Sequence, residues 1–286
     1  MRYLFCVVLA LMISCKGETS DAVPEVDTAK RVSIKVSQEG LVKIDTYFKK
    51  AWDSGMYSSK YQTYIDSALM IKPDSAYLWQ QKAMPLYKAR KYSLGKPFLK
   101  KAVEYDAKGN LDYSGFMKCI FSKEYEESII ELLEAKKRFG DGYVMDHTYN
   151  FYIGLNHLQL NQFEKAKEFL SKSKKQQFLD FPNDAPEEAC HYLDWFYLGI
   201  AEHELGNYEE AVLCFDMSLM VYTNFGDAMY YKAYSQLSLS LDDAAQNTYE
   251  LAFENKLNTI NEDNVFYEVY PYQIFHKLSP IARSKK

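Results

Sequence analysis

The sequence has 286 residues, enough for one or two ordinary domains or one long repeat array. Apolar residues make up 48%, which excludes wholesale disorder, and a net charge of −5 denies the chain the basic footprint that nucleic-acid binding requires. Tyr (25) and Phe (17) are abundant, a content that suits packed helix pairs and also an adhesive recognition surface.

At the start, Arg2 is followed by an apolar run from Tyr3 to Ile13 and then by Ser14-Cys15-Lys16-Gly17. The run fits the hydrophobic part of an export signal and is too short for a spanning helix, which needs about 20 residues. Met12-Ile13-Ser14-Cys15 resembles a bacterial lipobox, with Met12 where Leu is usual. The resemblance implies that residues 1–14 are a lipoprotein-type signal and that Cys15 is the lipidated new N-terminus. A plain secretory signal with an incidental cysteine is the competing reading. Residues 15–36 carry Gly17, Ser20, Pro24 and mixed charges with few large apolar groups, so they read as a flexible tether. A tether of about twenty residues reaches roughly 25 Å.

From residue 37 to 256 the chain repeats itself. Trp195, Leu198 and Gly199 are followed by Tyr208, Ala211 and Phe215, with Asn207 in the turn. The next copy has Ala233, Ala245, Tyr249 and Ala252, displaced by 34 residues. Upstream, Ile153, Gly154, Phe163, Ala166, Leu170 and Ser173 answer the same set. Looser copies contain Trp79, Ala83, Tyr92, Gly95, Leu99 and Ala102, then Tyr113, Phe116, Met117, Tyr125, Leu132 and Ala135. In the first and most degenerate copy, Ala68 stands 34 residues before Ala102. This spacing resembles the tetratricopeptide repeat. The resemblance implies an all-α solenoid of about six stacked antiparallel helix pairs forming a right-handed superhelix. Small residues let the two helices of a pair approach, and stacking buries faces that one pair leaves open. Pro85 and Pro97 predict a kink or late helix start in the second pair. Gln176–Glu188 holds an 11-residue expansion, and its Pro186-Glu187-Glu188 suits a first helical turn.

Catalytic patterns are missing from the sequence: no phosphate-binding P-loop, no Gly-x-Ser-x-Gly and no dinucleotide turn. Glu188-Ala189-Cys190-His191 supplies one Glu-x-x-His, where a di-iron centre of that type uses two, so His191 reads as a packing residue. Neither a cofactor nor a metal is expected. Three cysteines of the body, Cys119, Cys190 and Cys214, are widely spaced and read as free thiols rather than a disulfide framework.

In the tetratricopeptide family the first helix of each pair faces a concave groove. On this sequence that rule points Phe151, Leu155 and Leu158 inward, then Phe196, Ile200 and His203, then Tyr230, Tyr234 and Leu237. The expected groove is aromatic and apolar, without the Lys, Arg and Asn set of the family's clamp for peptide C-termini. Residues 257–286, with Phe266, Tyr267, Tyr270, Tyr272 and Phe275, serve either as a cap for the last pair or as a tail folded back into the groove. The combination implies a non-enzymatic, lipid-anchored interaction scaffold in the envelope of a Gram-negative bacterium, binding another protein. Lys16 after the cysteine favours the outer membrane. The alternative is a glycan- or nutrient-binding lipoprotein serving an outer-membrane transporter, against which the short length argues.

Overall fold

Small polar residues set where many of the helices begin. The computed structural model describes residues 33–260 and 268–276. The proposed signal, Cys15 and most of the tether lie outside the described residues. Helix α1 (Gln38–Asp53), α2 (Ser59–Ile71) and α3 (Ala76–Lys88) start behind Ser37, Ser58 and Ser75, whose hydroxyls each accept an N–H three residues on. Asp106 does the same for α5 (Ala107–Met117), which ends in a π-helical turn, Lys118–Ser122, and Thr148 does it for α7 (Tyr149–Gln159).

From the second pair on, the second helices begin differently. These are α4 (Tyr92–Tyr105), α6 (Tyr125–Phe139), α8 (Phe163–Asp180), α11 (Tyr208–Val221) and, after α10 (Tyr192–Glu204) and α12 (Gly226–Ser238), α13 (Asp242–Glu254). None has a side-chain cap. Each instead leaves a tight turn in which one residue has a left-handed backbone: Arg90, Lys123, Asn161, Gly206 and Ser240. In four of these turns the next N–H reaches back to the carbonyl five residues earlier, as in Lys91 to Leu86, Gln162 to His157, Asn207 to Glu202 and Leu241 to Gln236. That bond satisfies an orphan carbonyl at the end of the first helix and turns the chain back antiparallel.

Six helix pairs thus follow one another among the described residues: α1/α2, α3/α4, α5/α6, α7/α8, α10/α11 and α12/α13. Both helices of the sixth pair begin 34 residues after those of the fifth, at Gly226 after Tyr192 and at Asp242 after Tyr208. Gly199 shows why a small residue is needed inside a pair. A Cβ there would lie 2.7 Å from the Phe215 ring, closer than packed atoms come.

Both helices of the second pair run through their prolines, without the expected late start. Pro85 lacks the N–H that would bond Gln81 O, and that carbonyl instead accepts the Tyr61 hydroxyl from α2 at 3.3 Å. Gln62 Nε2 bonds the neighbouring Lys82 O at 3.2 Å. The lost backbone bond becomes a tie between the first two pairs.

The 11-residue expansion is a lengthened helix plus a loop: α8 has 18 residues, and after residues 181–185 a short helix, α9 (Pro186–Ala189), opens on its proline. One element was not anticipated. Between α6 and α7 the strands β1 (Tyr143–Val144) and β2 (His147–Thr148) form an antiparallel hairpin around Met145 and Asp146, both with positive φ. The main core runs from Ala83 in α3 to Tyr270 past α13, while Ala51, Tyr61, Ile65, Ala68, Leu69 and Leu78 form a separate small cluster at the N-terminal end.

Candidate binding face

First helices α7 and α10 are buried all round, as a helix is when packing surrounds it. Residues 149–158 of α7 and 193–202 of α10 are uninterrupted runs of buried side chains. Their own second helices and the preceding second helices cover two sides. On α10 the C-terminal residues meet a third side, through Tyr197 against Pro271 and Glu204 against Tyr272.

Starting from its far end, that segment can be followed residue by residue. Phe275 sits edge-on to Tyr230 of α12 and to Phe253 of α13. The N–H groups of Ile274 and Phe275 donate to one carboxylate oxygen of Asp227, at 2.7 and 3.1 Å. The other oxygen accepts from the Thr259 hydroxyl at 2.6 Å and from Ile260 N–H at 3.1 Å. Tyr272 packs on Tyr231 and reaches Glu204 at the end of α10. The Tyr197 hydroxyl of α10 donates to Pro271 O at 2.9 Å, and Tyr270 is buried within the main core. Lys123 Nζ, just beyond the π-helical turn, donates to Val269 O at 2.5 Å. Glu268 lies near enough to Tyr113 of α5 for its charge to act on that hydroxyl. Eight residues therefore pass from the sixth pair to the third. The stretch is not straight, since it turns at Pro271–Tyr272, where Tyr272 has a left-handed backbone.

Asp227 is the hub of this arrangement. It opens α12, is wholly buried, and accepts four hydrogen bonds, three of them from backbone N–H groups. Burial pushes its carboxyl above the ordinary range, and the bonds from Thr259, Phe275, Ile274 and Ile260 pull it back.

The residues expected to line a groove divide into two sets. Phe151, Leu155, Leu158, Phe196 and Ile200 are fully buried, so they are core and not lining. The reason is geometric. Phe196 meets Phe215 of its own second helix, and Phe225 and Tyr231 of the next pair, so this row of a first helix faces neighbouring helices rather than an open channel. Phe151 similarly stacks on His147 and meets Tyr197. His203 is half-buried, with a ring nitrogen 2.9 Å from Ser235 Oγ, and burial lowers its pKa. Tyr230 is half-buried, while Tyr234 and Leu237 are exposed at 46% and 56%. Tyr230 and Tyr234 stack at 4.9 Å with their hydroxyls 3.2 Å apart, and Tyr249 stands beside them. The open part of the face is therefore this tyrosine group on the last pair. Asp227, Tyr197 and Lys123, which contact the segment most directly, were not among the expected residues. A buried Asp at a helix start was the one visible signal.

His147, His191 and Asp194 converge elsewhere, their potential ligand atoms within 4.8 Å of one another. A small divalent ion needs at least such a trio. Within the trio His191 Nδ1 accepts Leu193 N–H at 3.3 Å, Ser173 donates to Asp194 Oδ1, and His147 Nδ1 lies 3.8 Å from Asp194 Oδ2. The group ties the hairpin to the start of α10 and brings no nucleophile with it. A hollow of about 600 Å³ is lined by Lys136, Asp141, Asn150, Lys172, Gln176 and Asp180 among others, with Lys136 paired to Asp141 at 2.7 Å. The thiols are not activated either: burial raises Cys119 to about 12 and Cys214 to about 11, and raises Cys190 as well.

No family model and no curated protein matches the sequence. Solved structures do match. The type IV pilus biogenesis factor PilW aligns at 15% identity over 79% of this chain and 97% of its own, with a TM-score of 0.59. PilF of Pseudomonas aeruginosa aligns at 18% identity over 80% and 97%, with a TM-score of 0.57. A tetratricopeptide repeat protein from Parabacteroides merdae aligns at 12% identity over 75% and 80%, with a TM-score of 0.58. The fold is a tetratricopeptide-repeat solenoid. At these identities the likeness speaks for the fold alone. Tetratricopeptide pairing accounts for Gly199 against Phe215 and for the recurring turn, and it leaves the Asp227 hub and the hairpin as features of this chain. Among the described residues no helix is long and apolar enough to cross a membrane.

Proposed function

We propose that this chain is an interaction scaffold, held to a bacterial envelope membrane by a lipid on Cys15, which binds a polypeptide partner along its first helices. The observation that carries the binding half of this reading is the C-terminal segment itself. Val269, Pro271, Ile274 and Phe275 use their backbone groups on the side chains of Lys123, Tyr197 and Asp227, so the face is built to hold the main chain of a peptide segment. The stacked Tyr230–Tyr234 pair and exposed Leu237 continue the face with aromatic and apolar surface. Large aromatics of this kind dominate recognition sites. The anchoring half rests on the lipobox-like Met12–Cys15 and the polar stretch behind it. No group of side chains converges for catalysis among the described residues, in keeping with a binding role.

Two experiments test the halves separately. A photo-cross-linking residue at Tyr234 should trap specific polypeptides in the native envelope, while one at Leu213, exposed on second helix α11, should not. Equal capture at both sites would reject the first-helix face, and enrichment of glycan instead of protein would favour a nutrient-binding role. A clickable fatty acid supplied to cells should label the wild type and not Cys15→Ser. Undiminished label on that variant would reject the anchor.

A further inference from the structure

We infer that residues 268–276 are an internal ligand, occupying in cis the track that the partner uses, and that the partner is an aromatic-bearing polypeptide segment that turns at a proline, as Pro271–Tyr272 does here. This rests on the reading of the first-helix face as the binding surface. The alternative is a permanent cap, and the structure separates the two. A cap should cover the outer face of the last helix, yet α13 buries only Ala245 and Ala252 fully and leaves Leu251 and Phe253 almost half exposed. The segment lays Phe275 on Phe253 of α13 and then runs on to Lys123 beside the third pair.

Its contacts are those of a bound peptide. Recognition falls on main-chain groups through side chains: two successive N–H groups on Asp227, one carbonyl on Tyr197 and one on Lys123. Tyr270 is buried in the main core, Tyr272 packs on Tyr231 of α12, and Phe275 sits against Tyr230 of α12 and Phe253 of α13. Pro271 keeps Tyr270 out of the helical region, and Tyr272 then turns the chain with a left-handed backbone. A partner that displaces the segment must offer the same elements: two adjacent free N–H groups for Asp227, flanked by large aromatic residues near a proline. Because the segment is tethered, its effective concentration at the face is on the order of millimolar for a short connection. A competing segment would therefore meet a face whose free fraction is small.

The test uses the full chain. A triple variant, Tyr270→Ala, Tyr272→Ala and Phe275→Ala, removes the segment's anchors and leaves the face intact. The probe is a fluorescent synthetic peptide of wild-type residues 268–276. It should bind the triple variant at least about tenfold more tightly than the wild type, and adding Asp227→Asn to the triple variant should take away about tenfold or more of that binding. Helical circular dichroism and the melting curve should show the triple variant still folded. Equal binding to wild type and variant, or no binding to either, overturns the inference. An unfolded triple variant also overturns it, because the segment would then be a structural cap. Cross-linking from Tyr234 distinguishes the two readings: peptide binding without any trapped polypeptide would leave the internal ligand standing and remove the scaffold function.

Discussion

The two ends of the array are built on opposite plans. At the N-terminal end, α1 has Ala51 as its only fully buried residue, and Leu41, Val42 and Trp52 are exposed. That end is held by a small cluster of six buried residues and by the Tyr61 and Gln62 bonds onto α3. At the C-terminal end, α12 begins with a buried carboxylate that gathers residues 259, 260, 274 and 275. The difference teaches that a solenoid can close one end by polar capture of its own chain while leaving the other to fray. It also locates where a partner could compete: the covered end is the one with something to displace.

The largest expected effect lies in the covered part. Phe196→Ala removes a wholly buried ring from between three helices and should cost about 3–5 kcal/mol of stability in denaturant unfolding. A change confined to partner binding, with stability intact, would return Phe196 to the lining and contradict its placement in the core. Next in size is Asp227→Ala, which leaves three buried N–H groups without their acceptor. An unsatisfied buried group costs about 1–3 kcal/mol, and release of the segment into water limits the loss to the free energy of its docking. The amides of Ile274 and Phe275 should lose hydrogen-exchange protection while those of α7 and α10 keep theirs. Loss of protection throughout would mean that the two regions unfold as one.

The uncovered end offers the counterpart measurement. Native-state exchange should show α1 and α2 opening below the global unfolding free energy, since few buried apolar contacts hold them. Ser37→Ala removes the bond from Gly40 N–H and should cost about 1 kcal/mol, confined to α1. Uniform protection from α1 to α11 would erase the contrast between the ends.

Much of the fold was legible because close helix approach is a local demand. Gly199 and Ala211 must be small where Phe215 is large, so the pattern shows in one line of sequence. The groove lining was not legible. Phe151, Leu155 and Phe196 have the spacing of an inward face, but spacing cannot tell a solvent channel from a neighbouring helix. The hairpin escaped because Met145 and Asp146 carry the positive φ that Asn-Gly would have announced. The folded-back segment could be suspected from its aromatics, yet its true anchor, Asp227, lies 47 residues from Ile274. No local rule spans that distance.

The recurring turn provides the smallest and cleanest comparison, because the sequence filled one geometry with different residues. Gly206 adopts the left-handed backbone freely after α10, whereas Ser240 adopts it after α12 with φ of 59°. Both turns make the same bond back to the first helix, from Asn207 to Glu202 O and from Leu241 to Gln236 O. A left-handed backbone costs a residue with a Cβ about 1–2 kcal/mol, and glycine gives back about 0.5–1 kcal/mol through its freer unfolded chain. Ser240→Gly should therefore stabilise the protein by about 0.5 kcal/mol, read as a higher denaturant midpoint at unchanged slope. Gly206→Ser should lower the midpoint by a similar amount. Asn161→Gly should change little, because asparagine tolerates this conformation. If all three substitutions shift the midpoint alike, the turns are not equivalent sites, and the end with the bound segment differs in its backbone as well as in its cover.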